Sequence, residues 1–381
     1  MSRDFLRQMP GSHQYLSRGS SFFYRLHIDP ILFFLLILLC GIGLGILYSA
    51  SGQSLEHVER QLTRLAIAFV VMFVFAQLDP IVYKRWSPWL FILGLSALVG
   101  VLFFGVGAKG AQRWLQLPGL PRFQPSEFMK LVVPMMLAWY LSSRYLPPSF
   151  KVVVVSLLII FVPVVLVLKQ PDLGTSLLIA SAGIFVLMFA GLSWRMVGGF
   201  AAVVAAFAPI LWMFIMYDYQ RQRVLTFLNP ESDPLGSGWN IIQSKTAIGS
   251  GGLWGKGWLN GTQSQLDFLP ESHTDFIIAV CAEEFGFMGV LGLILVYLLI
   301  VFRGLFIALK AQDSYSRILS GSLVLTFFIY IFVNIGMVSG ILPVVGLPLP
   351  LVSYGGTSAV TLMAAFGVLM SVHTHRKMLT R

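Results

Sequence analysis

The sequence predicts an all-α integral membrane protein with ten transmembrane helices and a long extracytoplasmic loop between the seventh and eighth spans. Three observations predict it. The 381 residues are 57% hydrophobic and 11% charged, with a mean hydropathy of +0.81, a composition that no soluble domain of this size could keep in water. The apolar runs are continuous and approach the roughly 20 residues that cross a hydrocarbon core, whereas barrel strands would alternate in short segments. The runs also leave no segment over for a soluble domain, so 1–381 is expected to be a single polytopic membrane domain.

Taken in order, the first run, Ile31 to Tyr48, follows Arg3, Arg7, Arg18 and Arg25. It is longer than a signal-peptide core and many runs follow, so 30–50 is expected to be an uncleaved first span. Apolar stretches between Pro, Gly and charged borders then mark 62–78, 88–107, 125–143, 151–168, 173–191, 196–216, 274–302, 317–340 and 356–372. Pro125 and Ser126 suit the opening of the fourth span, and Asp172 either caps the sixth or contacts a ligand. The stretch 217–273 is polar and rich in Gly, Pro, Asn and Ser, and a loop of that length in a compact bundle usually has a function. Residues 334–358 carry five glycines and three prolines. Such backbone is not regular helix and survives at membrane depth only against protein or a cavity, which predicts a re-entrant element.

Orientation follows from the bases. With the N-terminus cytoplasmic, both termini lie inside, and fifteen of the 26 Lys and Arg residues fall inside against ten outside, with Lys130 in a span. The outer bases cluster: Lys109, Arg113 and Arg122 before the fourth span, Lys169 before the sixth, and Arg221, Arg223, Lys245 and Lys256 in the long loop. Solvated pairs with Glu231, Asp233, Asp267 and Glu271 would account for single residues, though such pairs are weak. Together the bases point to an anionic ligand at the outer leaflet. Cys40 and Cys281 lie in apolar runs and read as packing residues, and His373 and His375, two apart, would point to different faces of a helix and make a poor metal site.

Carboxylates inside the apolar spans are the best pointers to chemistry, because each costs roughly 2.5 to 3.5 kcal/mol at the bilayer centre. Asp275 opens the eighth span, where the helix dipole favours an anion. A carboxylate at such a rim can take a proton from a sugar hydroxyl or hold a divalent cation. Glu283 and Glu284, two turns deeper, read as interhelical hydrogen-bonding groups. Glu127 and Lys130 stand three apart in the fourth span and are placed to pair; a buried pair in a membrane protein argues for an interior cavity. The glycine run Gly249 to Gly257 permits close backbone approach to a ligand but lacks the strand-to-helix setting of a phosphate loop.

The segment from Asn334 through Pro343 and Gly346 to Ser353-Tyr-Gly-Gly-Thr-Ser358 resembles the signature of the shape, elongation, division and sporulation (SEDS) family. The resemblance extends to Gly110-Ala-Gln-Arg-Trp114, Phe123-Gln-Pro-Ser-Glu127, Gln170-Pro-Asp-Leu-Gly174, Tyr219-Gln-Arg-Gln-Arg223 and Leu269-Pro-Glu-Ser-His-Thr-Asp-Phe276. The compact ends and the loop Ile248 to Gly257 are most similar to the family's elongation member. The resemblance implies a peptidoglycan glycosyltransferase that polymerises lipid II at the outer face of the bacterial inner membrane. It also implies work during elongation beside a class B penicillin-binding protein and other proteins of the rod complex, with no nucleic acid involved. Asp275 matches the family's essential aspartate, which would act as general base or position a divalent cation such as magnesium or manganese. Trp114, Glu127, Lys130 and Asp172 match other important positions, and Lys109, Arg113, Arg221, Arg223 and His273 complete the expected substrate-binding set. A lipid II flippase and a non-catalytic scaffold are the alternatives. Ionisable residues concentrated on the outer half argue against the flippase, and the cost of Glu127 and Lys130 at depth argues against the scaffold.

Overall fold

The computed structural model describes residues 26–108, 111–116, 123–210, 212–213, 216, 218–232, 237–265 and 271–375. Six of the described helices are long and apolar enough to cross a membrane: α1 (Pro30–Ala50), α3 (Pro80–Phe104), α5 (Phe150–Leu168), α11 (Ile277–Leu309), α12 (Ser314–Val338) and α13 (Thr357–Thr374). The others are α2 (Leu55–Gln77), α4 (Pro125–Ser142), α6 (Leu173–Phe189), α7 (Trp194–Ile210), α8 (Asp218–Leu228), α9 (Ser237–Gly251) and the single turn α10 (Thr262–Gln265). Local chemistry sets several starts. Asp29 and Asp79 accept from the amides of Leu32 and Ile81, each ahead of a proline at the first helical position, whose missing N–H is not needed there.

The chain departs from the all-α expectation at one place, where β1 (Val106–Ala108) pairs antiparallel with β2 (Ala111–Trp114) and an isolated bridge joins Leu115 to Phe123. Other boundaries also shift. α2 begins at Leu55 rather than 62, because its first two turns, with Glu56, Glu59 and Arg60, are polar yet helical. α3 begins at Pro80 rather than 88, since a proline eight residues into the helix is accommodated there. The polar stretch 217–273 contains α8, α9 and α10. α12 carries Asn334 and continues to Val338, so the irregular segment begins only after it.

α12 and α13 form the interior of the bundle, with α2, α4 and α11 packed around α13, α6 packed directly on α12, and α5 on the outer side of α6. α11 runs past the expected end at 302 because Arg303 is not a border. It makes an ion pair with Asp29, which is fully buried, and His373 Nε2 lies 3.2 Å from the same carboxylate. The starts of α1 and the ends of α11 and α13 are thereby tied at one end of the bundle. The chemistry-bearing residues gather at the other.

Candidate functional site

At that other end, α2, α4 and α13 enclose a cavity of about 890 Å³. Ile67, Val71 and Phe75 on α2 share one helix face and form an apolar wall opposite Phe128 and Leu131 of α4, over a floor that includes Val360 and Ala364 of α13. The far end is polar and contains Arg113, Trp114, Gln124, Glu127, Asp172, Thr175 and Tyr330.

Each polar group is positioned by its element. Asp172 caps α6, its Oδ1 accepting from the Thr175 amide at 3.1 Å, while Oδ2 accepts from Gln124 at 2.9 Å and faces Arg113 Nη1 at 3.9 Å. Capping and cavity lining are therefore not alternatives for this residue. Arg113 is steadied by the carbonyls of Gln170 and Pro171, to which it donates. Glu127 sits in the first turn of α4, and Lys130, one turn on, donates to its Oε1 at 2.6 Å and to the Tyr330 hydroxyl at 3.2 Å. Both members of the pair are buried, at 7% and 6% exposure, so the cation and anion must satisfy one another. Tyr330 stands within electrostatic reach of Glu127, Asp172 and Asp275 together.

Asp275 lies two residues before α11, beside the cavity wall. Gly346, which lines the cavity, takes φ +74°, a backbone that favours glycine, and a Cβ built there would lie 3.6 Å from Asp275 Oδ2. One oxygen of the carboxylate thus lies against the Gly346 backbone. The irregular segment is held by side chains of neighbouring helices: Asn334 of α12 donates to the carbonyls of Asp275 and Leu347, Tyr297 of α11 to that of Pro350, and Gln61 of α2 exchanges bonds with Ser353 and Gly355. Part of its polar backbone is thereby satisfied by protein groups rather than water. His273 accepts at its carbonyl from the Tyr354 amide, and the rings of His57, His273 and Tyr354 pack together, with the Arg64 guanidinium 4.4 Å above Tyr354.

Of the residues expected at the site, Arg113, Trp114, Glu127 and Asp172 line this one cavity, Lys130 and Asp275 adjoin it, and His273 reaches it through Tyr354. Arg221 and Arg223 lie off its lining; they donate to the carbonyls of Met213 and Val344, the latter in the irregular segment. Lys109 lies outside the described residues. The structure adds Arg64 and Tyr330, which the sequence did not single out, and brings Gln124 and Tyr354, read from the sequence only as parts of longer motifs, into the lining. Arg64 had one available signal, a base just inside a predicted span. Among the described residues, no group of three or more His, Cys, Asp or Glu side chains is arranged to hold a metal ion.

The glycine run Gly249 to Gly257 has a partner within the chain rather than an evident ligand. Its turn packs against α11 where that helix breaks, and Glu283 and Glu284 are occupied there, Glu283 by Lys256 and the start of α10, Glu284 by the Ser49 hydroxyl.

Comparison with known proteins covers almost the whole chain. The family model FTSW_RODA_SPOVE, described as cell cycle protein, matches residues 30–378. Peptidoglycan glycosyltransferase MrdB of Escherichia coli (strain K12) is 55% identical over 361 residues, 95% of this chain and 97% of MrdB. A probable peptidoglycan glycosyltransferase FtsW of Trichlorobacter lovleyi is 36% identical, over 92% of this chain and 94% of its own. Among solved structures, a chain described under "Structural coordination of polymerization and crosslinking by a peptidoglycan synthase complex" superimposes with a TM-score of 0.79 at 31% identity, covering 91% of this chain and 97% of that one. The crystal structure of the rod shape determining protein RodA of Thermus thermophilus gives 0.68 at 29% identity, covering 91% and 96%.

Proposed function

Because this chain belongs to the FTSW_RODA_SPOVE family of cell cycle proteins, we propose that it is a peptidoglycan glycosyltransferase polymerising lipid II during cell elongation. The observation that carries this is the cavity itself: an apolar slot between α2 and α4 leading to a polar end, with Asp275 one glycine away. A lipid-linked sugar diphosphate needs both halves. Its tail lies along Ile67, Val71, Phe75, Phe128 and Leu131, and its diphosphate lies towards Arg113 and Lys130.

In the reaction, the 4-hydroxyl of the acceptor sugar attacks the donor's anomeric carbon. The new O4–C1 bond forms as the bond from C1 to the diphosphate oxygen breaks, inverting the configuration. Asp275 accepts the hydroxyl proton as general base, and the lipid diphosphate leaves with the bonding pair. The cations at the polar end stabilise the charge that develops on the leaving group, usually a large share of catalysis. Glu127 holds Lys130 in place, and Asp172 does the same for Arg113, while Trp114 closes that end. His273 supports the mouth through its contact with Tyr354.

The protein is a bacterial membrane protein, and we place it in the inner membrane with ten crossings, both termini cytoplasmic and the site outside. Lys84, Arg85, Arg144, Lys151, Arg195, Lys310 and Arg317 at the end opposite the site support this orientation. A class B penicillin-binding protein of the elongation complex, with other rod-complex proteins, is the proposed partner; the apolar groove between α11 and α12, containing Ile294, Leu298, Phe328 and Phe332, suits its membrane helix. The test is polymerisation of purified lipid II by the reconstituted protein with its partner. Glycan strands from the wild type and none from Asp275→Ala support the assignment. Equal synthesis by Asp275→Ala overturns it, and lipid II translocation without synthesis points to a transporter.

A further inference from the structure

α11 is not one helix. At Gly286 the backbone takes φ +68° and ψ −166°, so the half from Ile277 to Phe285 is mechanically separate from the long membrane half that follows. The short half begins two residues after Asp275 and would be free to tilt about the break if nothing bridged it. The turn 252–257 bridges it. Phe287 and Met288, the first residues past the break, donate to the carbonyls of Gly252 and Leu253 at 2.9 and 3.2 Å, while Lys256 and Gly257 donate to the carbonyls of Glu283 and Glu284 at 3.0 and 2.9 Å. The backbones approach so closely that a Cβ at Gly251 would meet the Ala282 carbonyl oxygen at 2.0 Å, and one at Gly255 the Glu284 oxygen at 2.1 Å.

One side chain fastens this splint. Glu283 is fully buried, and its Oε1 accepts from Lys256 Nζ at 2.8 Å, the Thr262 amide at 2.8 Å, the Thr262 hydroxyl at 3.0 Å and the Gln263 amide at 3.0 Å. It thereby holds the turn on one side and the start of α10 on the other, a set of charge-assisted bonds that water cannot replace at that depth. We propose that Glu283, through Lys256, is a positioning residue for glycosyl transfer: the pair locks the turn 252–257 across the break at Gly286 and sets the angle of the half-helix that presents Asp275. This rests on Asp275 being the base.

The experiment compares wild type, Glu283→Gln, Lys256→Met, the double variant and Lys256→Arg, all with the partner present. Polymerisation kinetics on lipid II are read beside hydrogen exchange of amides 277–285. Expected are a fall in kcat on the order of ten- to a hundredfold with KM within about twofold, as misplacement of a catalytic group by about an ångström produces. The two single losses should not add, exchange in 277–285 should rise, and Lys256→Arg should restore most of kcat. Lys256 is partly exposed, so its variants remain informative if Glu283→Gln does not fold. Unchanged kcat in Lys256→Met, or additive losses, overturns the proposal, as does faster exchange with full activity. Asp275→Asn is the separating control: if it polymerises normally, the assignment of the base fails, while the exchange measurement still reports whether the splint exists.

Discussion

Asn334 on α12 donates one amide hydrogen to the backbone carbonyl of Asp275 at 3.0 Å and the other to that of Leu347 at 2.6 Å. A single buried side chain thus fixes the spacing between the proposed base and the cavity wall beside Gly346. Asn334→Ala leaves the buried Leu347 carbonyl without its donor, at about 1 to 3 kcal/mol, and the half-buried Asp275 carbonyl at less. The expected result is a lower thermal midpoint in detergent together with a kcat reduced on the order of tenfold or more while KM holds. A variant with normal kcat would show that the spacing does not matter.

The Glu127–Lys130 pair separates stability from function. Lys130→Met strands a buried carboxylate, which costs about 3 to 5 kcal/mol, and should lower the thermal midpoint sharply. Adding Glu127→Gln removes the stranded charge and should recover most of that midpoint. Polymerisation should stay absent in the double variant, because the cation proposed to face the leaving diphosphate is still missing.

Two glycines of the same helix should respond in opposite ways. At Gly286 a Cβ would meet the Gly255 amide nitrogen at 2.3 Å in a positive-φ backbone, whereas at Gly292 nothing lies within 4 Å. Gly286→Ala should therefore unfold the splint and destabilise the protein by several kcal/mol, as overpacking against backbone does. Gly292→Ala should be neutral or stabilising by up to about 1 kcal/mol from helix propensity. Thermal unfolding of the two variants side by side gives the answer.

At the opposite end, His27 stacks on His375 with ring centroids 4.0 Å apart and contacts the Thr374 hydroxyl. Burial first, and the neighbouring His375 second, lower its pKa below the ordinary 6.5. Above that value His27 is neutral in folded and unfolded chains alike, and it contributes no pH dependence. As pH falls through 6.5 the unfolded chain takes up the proton first, so stability is lost on the acid side and continues to fall until the folded pKa is passed. The thermal midpoint should therefore drop between about pH 7 and 5.5, and His27→Gln should flatten that part of the profile.

The apolar runs were legible in the sequence because each helix crosses a medium that rewards continuous hydrophobicity. Glu127, Lys130, Asp172 and Asp275 stood out for the converse reason, being charges where charge is expensive. Boundaries failed where that contrast fades. The first turns of α2 are polar, so 55–61 read as loop although they are helical, and α8 and α9 lack a sustained apolar stretch. Tyr330 passed unnoticed because an aromatic residue in an apolar segment carries no local signal. The glycine run was visible as a place of close approach, but what approaches it is a helix break more than thirty residues later, a relation that only the folded chain reveals.

Asp29 has a consequence for how this protein is made. It is fully buried, and its partner Arg303 lies 274 residues further along the chain, with His373 later still. During synthesis α1 is threaded into the membrane long before Arg303 has been translated, so Asp29 waits as an unneutralised anion, a condition that costs several kcal/mol once it is sealed from water. The arrival of α11, which carries Arg303, neutralises it. A chain released before α11 is made therefore carries Asp29 at the head of α1 without the guanidinium that permits its burial.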